Sequence, residues 1–223
     1  MDNNKSICEE SNNVLCFKIL VIGCAAVGKT CCIRKYCHNQ FTHGYQFTSG
    51  YEVKHKVIYI KDKDQQEITC RLMLVDIAGQ DCSPIITRPL YKDAQGCIIV
   101  CDLDSTYMEI IHDITLWKNQ IDEKVVFPGT VDKLPCVLWA NKNDIAGENF
   151  SEVMQKNLEK FQFDKIFRTS AKTGEGLSES MQYLSNLIFQ KHKQINPQLS
   201  KHTENNIIKP EDSKITKKSW CCW

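Results

Sequence analysis

The sequence has no surplus of charge of either sign: 28 Lys and Arg stand against 27 Asp and Glu, for a net charge of +1. No overall field draws the chain to nucleic acid or an anionic surface, and no basic, aromatic-laced stretch of the kind that binds nucleic acid is visible. Long hydrophobic runs are missing too; none approaches the roughly 20 residues that a membrane-crossing helix needs. The opening segment MDNNKSICEESNN is polar, unlike a secretory leader, so a cytosolic chain is expected. There is no CxxC and no HExxH, and the six histidines lie scattered, which argues against a structural zinc site. No internal repeat is found.

Cysteine, by contrast, is abundant, with 13 in the chain. In a cytosolic setting they are expected to be reduced, and Cys16, Cys70, Cys97, Cys101 and Cys136 fall in apolar strand-like runs, where a thiol serves as a small hydrophobe. At 223 residues and 42% hydrophobic content, the chain suits one domain with tails. Composition places a disordered tail at 1–13, a folded domain at 14–191 and a second disordered tail at 192–223, where prolines and polar residues replace any sustained apolar stripe.

Within 14–191, short apolar runs alternate with helical patterns. VLCFKILVI, CIIVC and CVLWA are apolar at successive positions, as strands covered on both faces of a parallel sheet should be. Ile110, Ile111, Ile114, Trp117 and Ile121 recur at helical spacing, as do Leu177, Met181, Leu184, Leu187 and Ile188; both stripes read as core. Residues 51–60 and 66–75 read as two strands around the turn KDKDQ, a hairpin at one edge of the sheet.

The chemistry lies in the turns. GCAAVGKT, from Gly23 to Thr30, fits GxxxxGK[ST] between a strand and a helix. In that motif glycines let the backbone approach a polyphosphate, the Lys29 ammonium meets it, and the Thr30 hydroxyl can reach Mg²⁺. Taken alone, it is also compatible with a flexible turn. LVDIAG places Asp76 at a strand end, ahead of Gly79 and Gln80; a carboxylate there can hold Mg²⁺ and a glycine amide can meet a γ-phosphate. Asn141, Lys142 and Asp144 form N-K-x-D after the strand CVLW, and a carboxylate at Asp144 accepts from donors that guanine has and adenine lacks. TSAKTGEG puts the backbone of Ser170, Ala171 and Lys172 where it can donate to the guanine carbonyl.

In their order GCAAVGKT, Thr48 in FTSG, DIAGQ, NKND and TSAK, these stretches resemble the small GTPases of the Ras superfamily across about residues 14–191. The resemblance implies a P-loop NTPase G domain: a mostly parallel six-stranded sheet with one antiparallel edge strand and helices on both faces. It implies that Ala25, Ala26, Val27, Gly28, Lys29, Thr30 and Cys31 wrap the phosphates of GTP or GDP, with Tyr45, Thr48 and Gly79 completing the enclosure. Mg²⁺ would be held by Thr30, Thr48 and Asp76, and Gln80 would orient the attacking water. Phe41 would pack on the guanine ring, or else serve the core. Residues 38–53 and 77–92 would be two switches. A nucleotide-holding scaffold that does not hydrolyse, and a P-loop kinase, are the rival readings; Gln80 and the Mg²⁺ set weigh against the first, NKND and TSAK against the second.

The tail selects a branch. SWCCW puts Cys221 and Cys222 third and second from the end, whereas a CaaX site needs Cys where Trp220 stands. A double Cys after a polar linker is similar to the Rab family. DIAGQ with Ile77, ITRPLYKDA and VVFPGTVDK resemble its branch serving lysosome-related organelles. This resemblance implies a divergent, monomeric Rab-type switch in vesicle traffic, prenylated at Cys221 and Cys222. It would cycle between cytosol and the cytoplasmic face of an endosomal or lysosome-related membrane. Its partners would be an exchange factor, a GTPase-activating protein, effectors and prenyl-chaperone proteins. Two departures stand out: Val75 and the stretch DCS occupy places where many Rabs carry aromatics of the effector surface, and the methyls of Ala25 and Ala26 are expected to crowd the γ-phosphate and slow turnover.

Overall fold

The structure is a computed structural model that describes residues 14–44, 47–62, 65–79, 89–146 and 160–196. The strands are β1 (Leu15–Ile22), β2 (Tyr51–Lys61), β3 (Glu67–Ile77), β4 (Gly96–Asp102), β5 (Cys136–Asn141) and β6 (Lys165–Arg168). Among the described residues three long helices accompany them: α1 (Lys29–His38), α2 (Tyr107–Lys124) and α3 (Leu177–Ile195). The six strands form one sheet in the order β2-β3-β1-β4-β5-β6, parallel throughout except for the antiparallel β2–β3 pair at the edge. This is the sheet that the resemblance implies, with the antiparallel pair where residues 51–60 and 66–75 read as an edge hairpin.

β5 is buried at every position and β1 from Ile19 to Ile22, so both faces of the sheet centre are covered. The first half of β1 departs from that pattern. Cys16 is exposed, against the expectation of a core thiol; it points to the face of β1 opposite that of its neighbour Phe17, which is buried beside His192 of α3. The other four strand cysteines are buried, and none of the nine cysteines among the described residues is in a disulfide. On α2 the buried stripe is Ile110, Ile114, Trp117 and Ile121, with Ile111 only half-buried. Thr106 and Glu109 close a capping box at its start. On α3 the expected stripe is buried except for Leu187, which is half-buried, while Phe189 joins the core.

α3 runs to Ile195, past the boundary that composition set at 191. His192 lies on this extension, its ring centroid 5.8 Å from that of Phe17 and 5.1 Å from that of Phe127. Lys193 donates to the buried carboxylate of Asp62 at 2.7 Å. The sequence stretch around Phe127 is a small loop closed by a bridge between Val126 and Lys133, and Phe127 is its buried anchor.

Candidate functional site

The loops after the carboxyl ends of β1, β3, β5 and β6 converge on one cleft of about 480 Å³. Ligand sites of open α/β sheets lie at these strand ends. Ala25, Ala26, Gly28, Lys29, Thr30 and Cys31 line one wall, from the turn after β1 and the first turn of α1. Gly28 is the N-cap of α1 at φ 97°, a left-handed conformation that glycine accepts freely. A Cβ there would come within 2.4 Å of the Asn141 amide nitrogen, so the turn has no room for one. Behind Gly28 the first-turn amides of α1 lack helical acceptors and carry the positive end of the helix dipole, a ready site for phosphate. Lys29 is buried, and its ammonium donates to the carbonyls of Gly23 at 2.8 Å and Cys24 at 2.7 Å, which folds the loop around it. Ala26 adopts φ 64°, left-handed for a residue that has a Cβ.

Thr30, Thr48 and Asp76 meet although they come from three segments. The Thr30 hydroxyl donates to Asp76 Oδ2 at 2.5 Å and lies 2.9 Å from the Thr48 hydroxyl. Asp76 is 1% exposed and its Oδ1 is buried with no hydrogen-bond partner. Burial pushes its carboxyl above the usual range, only partly offset by the Thr30 hydrogen bond and the nearby Lys29 charge. A desolvated carboxylate with one oxygen unmatched, beside two hydroxyls, is an oxygen donor set that suits a hard cation such as Mg²⁺. Gly79 follows; a Cβ on it would collide with the backbone of Cys24 and Ala25 at 2.4 Å, so this turn lies directly on the phosphate loop. The Ala78 amide donates to Gly50 O at 2.9 Å, tying the segment after β3 to the one before β2.

The opposite end of the cleft is held by Asn141, which is 1% exposed. Its amide nitrogen donates to Val27 O at 2.8 Å and its amide oxygen accepts from the Ala171 amide at 3.1 Å, so one side chain joins three loops. Val27 itself is buried and contributes that carbonyl rather than a cleft wall. Ser170 is buried and its hydroxyl donates to Asp144 Oδ1 at 2.6 Å, while Lys172 lies 3.8 Å from Asp144 Oδ2. These contacts hold the Asp144 carboxylate in the cleft lining. Lys142 also lines the cleft, with its ammonium paired to the Asp102 carboxylate. Phe41 is half-buried at the cleft edge, in edge-to-face contact with His43 at 5.1 Å between centroids.

The expected residues are thus brought together, apart from Gln80 and Tyr45, which lie outside the described residues, as do Cys221 and Cys222. Sequence reasoning passed over His43, Phe47 and Ile145, which also line the cleft, with Phe47 and Ile145 well exposed. Two apolar side chains beside Thr48 and Asp144 in otherwise polar loops were the available signal. It also passed over Trp117 as a neighbour of the phosphate loop: its indole N–H points at Cys24 Sγ, 3.3 Å away and 93 positions distant in the chain.

Residues 18–190 match the model of the Ras family. The chain is 35% identical over 187 residues to Ras-related protein Rab-32A of Dictyostelium discoideum, covering 82% of each chain. It is 34% identical over 215 residues to human Ras-related protein Rab-32, covering 92% of this chain and 89% of that one. Ras-related protein Rab-7L1 of Rattus norvegicus is 33% identical over 172 residues, covering 75% and 79%. With this sheet, these loops and these relatives, the chain belongs to the Ras family of GTPases, as a divergent member of its Rab branch.

Proposed function

We propose that this GTPase holds GTP or GDP with Mg²⁺ in the cleft, hydrolyses GTP slowly, and recruits effectors of membrane traffic while GTP is bound. The observation that carries this reading is the meeting of Thr30, Thr48 and Asp76 beneath the phosphate loop, with Asp76 Oδ1 buried and unmatched. Those three residues would hold Mg²⁺, which when bound neutralises phosphate charge as it develops in phosphoryl transfer. Lys29 and the first-turn amides of α1 would exchange their present loop partners and solvent for phosphate oxygens. Gln80 would orient the attacking water, and the segments 38–53 and 77–92 would be held by the γ-phosphate and released on its loss. Small GTPases complete catalysis with an arginine supplied by a partner, worth about 10³ to 10⁵ in rate, so a slow intrinsic reaction suits a timer. Cys221 and Cys222 would carry geranylgeranyl groups that tether the protein to an endosomal or lysosome-related membrane.

Asp144 is the residue on which base choice rests, because its carboxylate accepts from donors that guanine alone presents. Titration with labelled GDP, GTP, ATP and XDP tests this. Wild type should bind GDP and GTP and leave ATP unbound, and Asp144→Asn should shift preference from guanine to xanthine nucleotides. Equal affinity of wild type for ATP and GTP would remove the guanine assignment.

A further inference from the structure

Cys24 is the second residue of the phosphate loop and touches the site through its backbone twice. Its carbonyl accepts from the Lys29 ammonium at 2.7 Å, and its carbonyl carbon would lie 2.4 Å from a Cβ placed on Gly79. A small shift of the Cys24 backbone would therefore move the cation that meets phosphate and the surface on which the second switch rests. Its side chain faces the other way, towards α2. There it accepts the indole N–H of Trp117, whose ring is fully buried in the middle of that helix. Ordinary packing accounts for the burial of Trp117 but not for its N–H pointing out of the core at a loop sulfur. A buried indole N–H needs an acceptor.

We infer that the Trp117–Cys24 hydrogen bond positions the phosphate loop, making Trp117 a positioning residue for nucleotide retention although it touches no nucleotide. The inference rests on guanine-nucleotide binding in this cleft. Thiol sulfur is a weak acceptor, so the effect is moderate; leaving the indole unmatched raises nucleotide release about threefold to tenfold. α2 is tied in at its start as well. Thr106 and Glu109 cap it just beyond Asp102, the partner of Lys142 in the base-binding loop. The helix therefore reaches both the phosphate end and the base end of the cleft.

The test measures labelled-GDP release from full-length protein in Mg²⁺, alongside thermal unfolding. Cys24→Ala and Trp117→Phe should each speed release about threefold to tenfold. The double variant should be no faster than the faster single one, since both remove one contact. Cys24→Ser, which supplies a hydroxyl acceptor, should stay within about twofold of wild type. Ile114→Val, fully buried on the same helix, should lower the melting temperature without changing release. Additive effects of Cys24→Ala and Trp117→Phe, or acceleration by Ile114→Val in step with lost stability, would overturn the positioning role and leave a merely structural one.

A second readout separates this inference from the nucleotide reading itself. The indole N–H resonance of Trp117, identified by its loss in Trp117→Phe, should move in Cys24→Ala whether or not nucleotide is bound. It should also differ between GDP and a non-hydrolysable GTP analogue. An indole signal unmoved by Cys24→Ala overturns the contact. Wild type that binds no guanine nucleotide overturns the nucleotide reading, and with it the role in retention.

Discussion

One carboxamide, that of Asn141, spans the phosphate loop and the two base-side loops, and its two hydrogen bonds lie wholly inside the protein. Asn141→Ala would leave the Val27 carbonyl and the Ala171 amide unmatched, at a cost of about 2–3 kcal/mol. For a domain of this size that is roughly 5–10 °C in melting temperature. Nucleotide affinity should fall in parallel, because both ends of the cleft lose their common brace; differential scanning fluorimetry with and without GDP would show both losses. A variant with unchanged melting temperature but weakened binding would instead make Asn141 a ligand contact alone. Ala26 is the opposite case, a residue that fits its place poorly. At φ 64° its Cβ is strained by about 1 kcal/mol, a cost that glycine does not carry. Ala26→Gly should raise the melting temperature of the nucleotide-loaded protein by roughly 2 °C, discounting part of the gain for glycine's freedom in the unfolded chain. Single-turnover GTP hydrolysis in this variant should be faster if the Ala26 methyl crowds the γ-phosphate.

Among the elements, α3 carries the clearest pH dependence. His192 lies against Phe17 and Phe127, and burial holds its imidazole below the usual range. An unfolded histidine titrates near pH 6.5. Above that value both states are neutral here and the group contributes nothing to pH dependence. As pH falls through about 6.5 the unfolded chain takes up a proton that the folded one resists, so stability declines until the folded group titrates in turn. Urea midpoints at pH 7.5 and 5.5 should therefore separate more for wild type than for His192→Phe, which keeps a ring in place but cannot titrate. Equal separations would assign the pH dependence elsewhere. This helix end also shows where sequence reading stops. β1, β4 and β5 were legible because strands covered on both faces leave unbroken apolar runs. The cleft was legible because its motifs set fixed residue types at strand ends, and the structure brings Thr30 to Asp76 and Asn141 to the turn before α1. The last turn of α3 was not legible, since His192, Lys193 and Gln194 read as linker until Phe17, Phe127 and Asp62 supply their partners. Cys16 failed for a similar reason: an unbroken apolar run does not tell which of two alternating faces is covered at its end, and there it is the face of Phe17 and not that of Cys16. The Trp117–Cys24 contact leaves no periodic trace at all.

At the scale of the whole molecule, the two ends of the sheet have different duties. The cleft opens where β1, β3 and β5 end, whereas α3 runs back alongside the sheet and finishes beside Phe17, near the start of β1. β1 is eight residues long, so the helix end and the phosphate loop are separated by about 20–25 Å of strand. From Asn196 to Cys221 the chain can reach at most about 80–90 Å when fully extended. A lipid anchor on Cys221 and Cys222 would thus hold the protein by the end remote from its cleft, leaving the segments around Thr48 and Gly79 turned towards partners. One prenyl chain alone gives marginal binding, whereas two chains, or one with basic charge beside it, anchor stably. Lys214, Lys217 and Lys218 precede the cysteines and would each add about 1 kcal/mol near anionic lipid, less at high salt. The double variant Cys221→Ser, Cys222→Ser should move from membranes to the soluble fraction while binding GDP as wild type does. Either single variant, left with one chain and the lysines, should stay on membranes at low salt and be released by a salt wash. Fractionation of the native cells, with mass spectrometry of the C-terminal peptide, gives the decision: an unmodified peptide in the membrane fraction, or a double variant still bound there, would sink the lipid anchor and leave the G domain to find its membrane through proteins alone.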